Sequence, residues 1–407
     1  DRRGPAFLNV FRAGAPQAYG ARRVTGLRAA QLMENGGKGT TAQQGEASAL
    51  CEALERHCGT WRGDEERIRA DYRSVADTAI HPDTCQLYHD RQFADRGQWN
   101  ARNSPFQFVC DPFDETAELD WSPVWSVTEQ RHRLLPTGLL YYRAPAAADR
   151  TFVRAHSSGN AAGSDLTDAV LRGVLELVER DCVALWWYNR TRHPGLDLAA
   201  FGNPWLAELR EVYRGLRREV WALDVTSDLG VPTVVALSRR IDKPAEDIMF
   251  GFGSHPDPAT ALISACTEMN QLMPALVDVD ADGGYGVTDP DAVRWWTTAT
   301  VGAQPHLLPD PDRPLRGPGD FGPAATADTL GQLDGIRRGI EGQGMHLLVL
   351  DQTRPDIGLP VVKVIVPGLR HMWARYAPGR LYDVPVRQGL LAEPTPYEQL
   401  NPIPLFV

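Results

Sequence analysis

The sequence predicts a mixed α/β (α+β) fold, on three observations. Several segments carry apolar residues three and four apart, the period of an amphipathic helix. Short runs rich in β-branched residues, such as VWALDV, VPTVVALS and VVKVIV, read as strands. The two kinds of segment do not alternate as regular βαβ units, which argues against a doubly wound parallel sheet.

In chain order, residues 42–58 read as a helix and 60–103 as a polar stretch of weak periodicity. From 106 to 153 the runs PFQFVC, LLYYRA and RTFVRA suggest strands between loops. SSGNAAGS is a turn before a long helix from about Asp165 to Asn189, with Ser164 or Asp165 as cap and Asp168 in its first turn. VWALDV and VPTVVALS follow as strands. GFGSHPDP reads as a loop, Asp257 as an N-cap with Pro258 at the first helical position, and the helix runs to about Met273. A loop-rich stretch (278–330), a helix near 326–343, strands HLLVLD and VVKVIV, and a Pro-rich tail complete the chain. The whole of 1–407 is expected to form one domain, with 1–35 as a lead-in and 394–407 as the tail. The chain does not open with Met, so a fragment or trimmed form of a longer protein is expected.

The 407 residues are 43% hydrophobic and 23% charged, with 42 basic against 52 acidic side chains, a net charge of −10. That balance argues against general nucleic-acid or anionic-membrane binding. No apolar run is long enough to span a bilayer, and the polar start DRRGPAFLNVFRAG is not a signal peptide. Six cysteines without a C-x-x-C pair argue for free thiols in a reducing cytoplasm rather than a zinc site.

Three helices share one design. In SALCEALERHC, Ser48, Glu52, Glu55 and Arg56 fall on one face, with Ala47, Leu50, Cys51, Leu54 and Cys58 on another. In VLRGVLELVERDCVALWW, Arg172, Glu176, Glu179 and Arg180 lie opposite Val170, Val174, Leu177, Val178 and Leu185. In TALISACTEMNQLM, Ser264, Glu268 and Gln271 lie opposite Leu262, Cys266, Met269 and Met273. A single Glu-x-x-Glu-Arg face is usually a solvated surface, but three raise the alternative of one shared acidic cavity. Carboxylates a turn apart repel unless a cation lies between them, and oxygen ligands without Cys or His suit Mg²⁺. Mg²⁺ held by few carboxylates commonly binds phosphates too, which points to a nucleotide. GGKGTT precedes the first helix; Lys38 could reach a phosphate there, although the Walker A spacing is absent and such a segment is usually a surface turn.

K-G-x-T followed by SALCEALER, then SSGNAAGSDLTDAVLRGVLELVERDCVALWWYNR, ALISACTEMNQL and DQTRPDIGLPVVKVIVPGL resembles, in that order, the YcaO family and its ATP-dependent azoline-forming cyclodehydratases. The resemblance implies that Cys, Ser or Thr of a ribosomal precursor peptide attacks the preceding amide. ATP then phosphorylates the resulting oxygen, and elimination leaves a thiazoline or oxazoline. It implies ATP and Mg²⁺ as cofactors, with Glu52, Glu55, Glu176, Glu179 and Glu268 as metal ligands. Lys38, Ser48, Glu52, Arg56, Asn160, Arg180, Gln271 and Arg354 become nucleotide contacts. It also implies a separate leader-peptide-binding (E1-like, recognition-element) partner and a homodimer. Two departures stand out: Ser264 replaces a common Arg, and the family's terminal Pro-x-Pro-x-Pro is reduced to Pro402 and Pro404. The tail, with Pro402, Pro404 and Val407 as catalytic candidates, is expected to dock at the active site and to be removable with little effect on melting. The alternatives are peptide thioamidation by external sulfide, or a silent peptide-binding scaffold.

DVDADGGYGVTD (278–289) looks like a Ca²⁺ loop but lacks the twelfth-position Glu, so a solvated loop is expected. Asp181, within an apolar stripe, should pair with a basic residue. His156, His255 and His371 show no metal spacing and are expected to be structural.

Overall fold

The computed structural model describes residues 7–14, 34–145, 151–277, 285, 289–322 and 328–406. The Ca²⁺-like loop lies outside them except for Tyr285 and Asp289, and Val407 is also outside. Asp289 caps the helix Pro290–Thr298 by accepting from the amides of Asp291 and Ala292.

All ladders between named strands are antiparallel, as a mixed α+β fold without βαβ units requires. β1 (Asn9–Gly14) pairs with β2 (Glu34–Gly39). Helix α1 (Ala42–Cys58) follows, capped by Thr41. A six-stranded sheet contains β3 (Ile68–Ala70), β4 (Leu119–Ser126), β5 (Arg131–Pro136) and β6 (Asn160–Ala162). Helix α2 (Leu166–Asn189) is capped by Asp165. After α3 (Pro204–Gly215) comes a three-stranded meander of β7 (Arg218–Asp224), β8 (Thr233–Arg240) and β9 (Met249–Ser254). Helix α4 (Pro258–Met269) starts at Asp257 and Pro258 as expected. Helix α5 (Thr329–Gly342) precedes β10 (Leu348–Asp351) and β11 (Val361–Ile365), which complete the six-stranded sheet in the order β3-β4-β10-β11-β6 with β5 on β4. Helix α6 (Arg380–Arg387) lies near the end.

One large apolar core joins α2, α4, the meander and β11. Its packing explains several corrections. GFGS is strand, not loop: a Cβ on Gly251 would sit 2.1 Å from Met269 N, and one on Gly253 2.2 Å from Ala261 O. These glycines let α4 lie directly on β9, so their role is helix–sheet contact rather than a turn. GGKGTT likewise belongs largely to β2, where a Cβ on Gly37 would meet Gly45 O at 2.1 Å. PFQFVC contains only a 3₁₀ turn, LLYYRA begins in a helical turn, and the described part of RTFVRA (151–155) is irregular; the strands of this region are β4 and β5.

Of the expected apolar face of α1, only Cys58 is buried. Gly45, Ala49 and Cys58 are buried, whereas Ala47, Leu50 and Cys51 are exposed and Leu54 is half-buried. Close approach of the helix to β2 selects the smallest residues for the inner side, and the larger ones face out. The apolar stripes of α2 and α4 are buried as read, apart from half-buried Leu177. Asp181 is fully buried and paired: Arg380 Nη2 donates at 2.5 Å and Nε at 3.0 Å, and the Arg370 amide donates at 2.8 Å.

The tail is docked through Phe406. Trp187 Nε1 donates to Ile403 O at 2.7 Å, and Gln107 Nε2 to Leu405 O at 2.5 Å. Asn401 and Leu405 are fully buried, and Phe406 packs against Phe250, Trp295 and Trp296. Removing it would strip buried surface from the core, so a lowered melting temperature is expected in place of an unaffected one.

Candidate active site

The three acidic helix faces converge with β2. Along α1, Glu52 sits one turn before Arg56, which donates to its Oε1 from Nη2 at 2.7 Å and from Nε at 3.2 Å. Along α2 the same spacing puts Arg180 Nη2 3.1 Å from Glu176 Oε1, while its Nη1 lies 3.0 Å from Glu179. Glu176 Oε2 accepts from the Gly159 amide at 2.9 Å, which ties α2 to the turn before β6. Lys38 reaches from β2 to an ion pair with Glu268 on α4, and the Phe252 amide lies 3.4 Å from the other oxygen of Glu268. Gln271, just past α4, crowds β2: a Cβ on Gly36 would lie 2.8 Å from its Nε2.

The carboxylates feel one another. Burial, then Glu176 and Glu52, push the Glu55 carboxyl well above the usual range. Burial also raises Glu179 to about 7, with Glu268 and Glu176 adding to it against Arg180 and Lys38. Burial alone would raise Glu268 too, but Lys38 and Arg180 more than offset it and hold it low. Glu176 is thus a common neighbour of Glu55 on α1 and Glu179 on its own helix. Arg180 is held firmly protonated by Glu179, Glu176 and Glu268, yet its Nε is buried without a partner.

Of the sequence-selected residues, Glu52, Glu55, Arg56, Glu176, Glu179, Arg180, Glu268 and Lys38 form this connected set. Asn160 borders it, held by Gln352 at 2.8 Å. Ser48 lies one turn before Glu52 and is half-buried. Arg354 is committed elsewhere, to Asp64 at 3.0 Å and Glu65 at 2.5 Å. Pro402 is exposed and Pro404 buried, and the segment they belong to packs near Trp187, eight residues or about 12 Å along α2 from Glu179. The histidines are structural in their contacts. His255 Nδ1 accepts from the Asp257 amide at 2.9 Å; His371 Nε2 lies 2.9 Å from Ser158 Oγ and 3.2 Å from His156 Nδ1.

Sequence reasoning missed Lys363. Its Nζ donates to His156 O, Ser158 O and Asn160 Oδ1 at 2.6–2.9 Å, and burial brings its ammonium down to about 8 against the pull of Glu176 and Glu55. The clue was a lysine inside VVKVIV, since a charge in a buried strand needs a built environment.

Among the described residues no three His, Cys, Asp or Glu side chains are arranged to hold an ion as they stand. Arginines and a lysine occupy the carboxylates instead. The donor set nevertheless fits Mg²⁺: only hard oxygens, two carboxyls raised by burial and by their acidic neighbours, which a cation would relieve, and an unsatisfied Arg180 Nε suited to an anion.

A family model described as YcaO cyclodehydratase, ATP- and Mg²⁺-binding, matches residues 36–370, and the chain belongs to that family. A solved heterocyclase in complex with substrate and cofactor is 41% identical with a TM-score of 0.92, over 100% of this chain and 54% of that one. The heterocyclase TruD is 43% identical with a TM-score of 0.81, over 89% of this chain and 50% of its own. The chain thus spans about half the length of both heterocyclases. An uncharacterised protein of Methanothermobacter thermautotrophicus is 27% identical over 343 residues, 82% of this chain and 80% of that protein.

Proposed function

We propose that this chain is the catalytic module of an ATP-dependent peptide cyclodehydratase that forms thiazolines or oxazolines from Cys, Ser or Thr of a ribosomal precursor peptide. The observation that carries the reading is the convergence of Glu55, Glu176, Glu179 and Glu268, whose burial and mutual repulsion raise the Glu55 and Glu179 carboxyls and make the site receptive to a cation. Glu52, Glu55, Glu176, Glu179 and Glu268 would hold Mg²⁺. Bound Mg²⁺–ATP supplies the phosphoryl group that converts the oxygen of the attacked amide into a leaving group.

The chain's own residues prepare that step. Arg56, Arg180 and Lys38 now neutralise carboxylates, and cations entering among the acids would free them to face phosphate oxygens. Ser48, Asn160 and Gln271 supply polar contacts at the border of the set. Arg354 joins them only by leaving Asp64 and Glu65. Pro402 and Pro404 serve by stiffening the docked 400–406 segment. In the overall balance, the nucleophile's proton and the amide proton leave, one C–S or C–O bond and one C=N bond form, and the amide oxygen departs as phosphate.

Intact Glu-x-x-Glu-Arg sets on α1 and α2 argue against the silent scaffold. A thioamidating enzyme would share this nucleotide site, so product mass separates the two: ring formation removes one water per residue, whereas thioamidation exchanges oxygen for sulfur. A leader-binding element, on a partner or in the half of the heterocyclases not matched here, would deliver the peptide. A homodimer is the oligomeric state the family resemblance implies, and light scattering would check it. Six free thiols and no helix among the described residues long and apolar enough to cross a membrane support a cytoplasmic setting.

The nucleotide part is tested by calorimetry with a non-hydrolysable ATP analogue. Binding should appear with Mg²⁺ and vanish with EDTA; equal binding without Mg²⁺ would remove the metal from the reading.

A further inference from the structure

A cavity of about 490 Å³ opens beside the acidic set, within the size range of ligand sites. Phe106, Phe108, Tyr141, Val153 and Trp373 give it an apolar wall. Phe106 is 56% exposed and lies 5.6 Å from the Trp373 ring, so a large apolar side chain stands at the rim without a core role. Two residues belong to both places. Arg56 lines the cavity and pairs with Glu52; Tyr142 lines it and lies in the field of Arg56, Glu55 and Glu176. The Tyr142 hydroxyl is buried and has no hydrogen-bond partner. Burial keeps the phenol protonated, so the group is a donor waiting for an acceptor.

We propose that this cavity is the subsite for the peptide residue immediately before the cyclised Cys, Ser or Thr, that it selects a large apolar side chain there, and that Tyr142 donates to that residue's carbonyl oxygen. This rests on the cyclodehydratase reading, in which that carbonyl is the one attacked. The geometry joins the two demands: the carbonyl must lie against the acidic set, and its own side chain then falls into the adjoining aromatic cavity. Arg143, Arg154 and Arg375 outnumber Asp120 among the other charged lining residues, so a lysine is the side chain least suited to it.

The test uses short synthetic peptides that differ only in the residue before one cysteine (Phe, Gly or Lys), titrated into the full chain without ATP so that no chemistry occurs. Wild type should bind the Phe peptide roughly tenfold or more tighter than the Gly peptide, the scale set by burying one large apolar side chain. The Lys peptide should bind weakest. Phe106→Ala, at an exposed position, should erase most of the Phe preference. Tyr142→Phe should weaken Phe and Gly peptides by the same factor, because it removes a contact to backbone. Equal binding of Phe and Gly peptides to wild type, no binding of any, an unchanged preference in Phe106→Ala, or unchanged affinity in Tyr142→Phe would overturn the proposal. A chain that shows the binding pattern but never dehydrates peptide would contradict the cyclodehydratase reading and leave only the cavity's preference for a large apolar side chain standing.

Discussion

Glu179→Gln should make the ligand-free protein more stable and the nucleotide site non-functional. The Glu179 carboxyl titrates near 7 in the fold against an ordinary 4.5. The unfolded chain therefore releases this proton first, and the folded chain holds it. Stability falls as pH rises from about 4.5 to about 7 and stays reduced above that. The gap corresponds to about 3 kcal/mol. Gln cannot ionise, so the variant escapes this loss. With about 2.1 cal/mol/K of unfolding entropy per residue, the gain corresponds to roughly 3–4 °C in Tm at pH 8. Well below pH 4.5 the difference should vanish, since wild type is then protonated in both states. Differential scanning fluorimetry across pH, with and without Mg²⁺ and a non-hydrolysable ATP analogue, reads both effects. Ligand should raise the wild-type Tm and leave the variant unmoved. A lower Tm for the variant at pH 8, or equal ligand stabilisation of both, would refute the reasoning.

Glu55→Gln should abolish peptide processing in a mass-spectrometric assay while circular dichroism stays unchanged; turnover at the wild-type rate would remove Glu55 from the ligand set. Arg380→Met should cost about 3–5 kcal/mol in a urea titration by stranding the buried Asp181 charge, and Arg380→Met/Asp181→Leu should recover much of it. Deleting residues 402–407 should lower stability by at least the 2–5 kcal/mol of a large-to-small core change, because Leu405 is fully buried, and a Tm equal to wild type would show the docking to be unimportant.

Much of the site was legible because helical spacing survives folding. Four-residue steps fix Glu52–Arg56 and Glu176–Arg180, and both pairs form as spacing requires. Asp165 and Asp257 capped their helices for the same local reason. What failed depended on tertiary contact. The inner side of α1 is set by how closely β2 approaches, so Gly45 and Ala49 outrank Leu50 and Leu54. GFGS looks like a loop until α4 is laid across Gly251 and Gly253. PFQFVC and TFVRA are apolar enough for strands, but they wall a cavity instead of pairing. Lys363 and Tyr142 approach the acids only in the folded chain, where β11 pairs with β6 and Tyr142 bridges Thr60 just past α1.

The central claim is that these carboxylates serve ATP-driven ring formation on a peptide. Its most direct measurement is to incubate the chain with its precursor peptide, ATP and Mg²⁺, following peptide mass and ADP together. The account predicts loss of one water per cyclised residue, one ADP for each loss, and neither event with EDTA or in Glu179→Gln. Peptide dehydration without ATP consumption, or at an undiminished rate in Glu179→Gln, would contradict it.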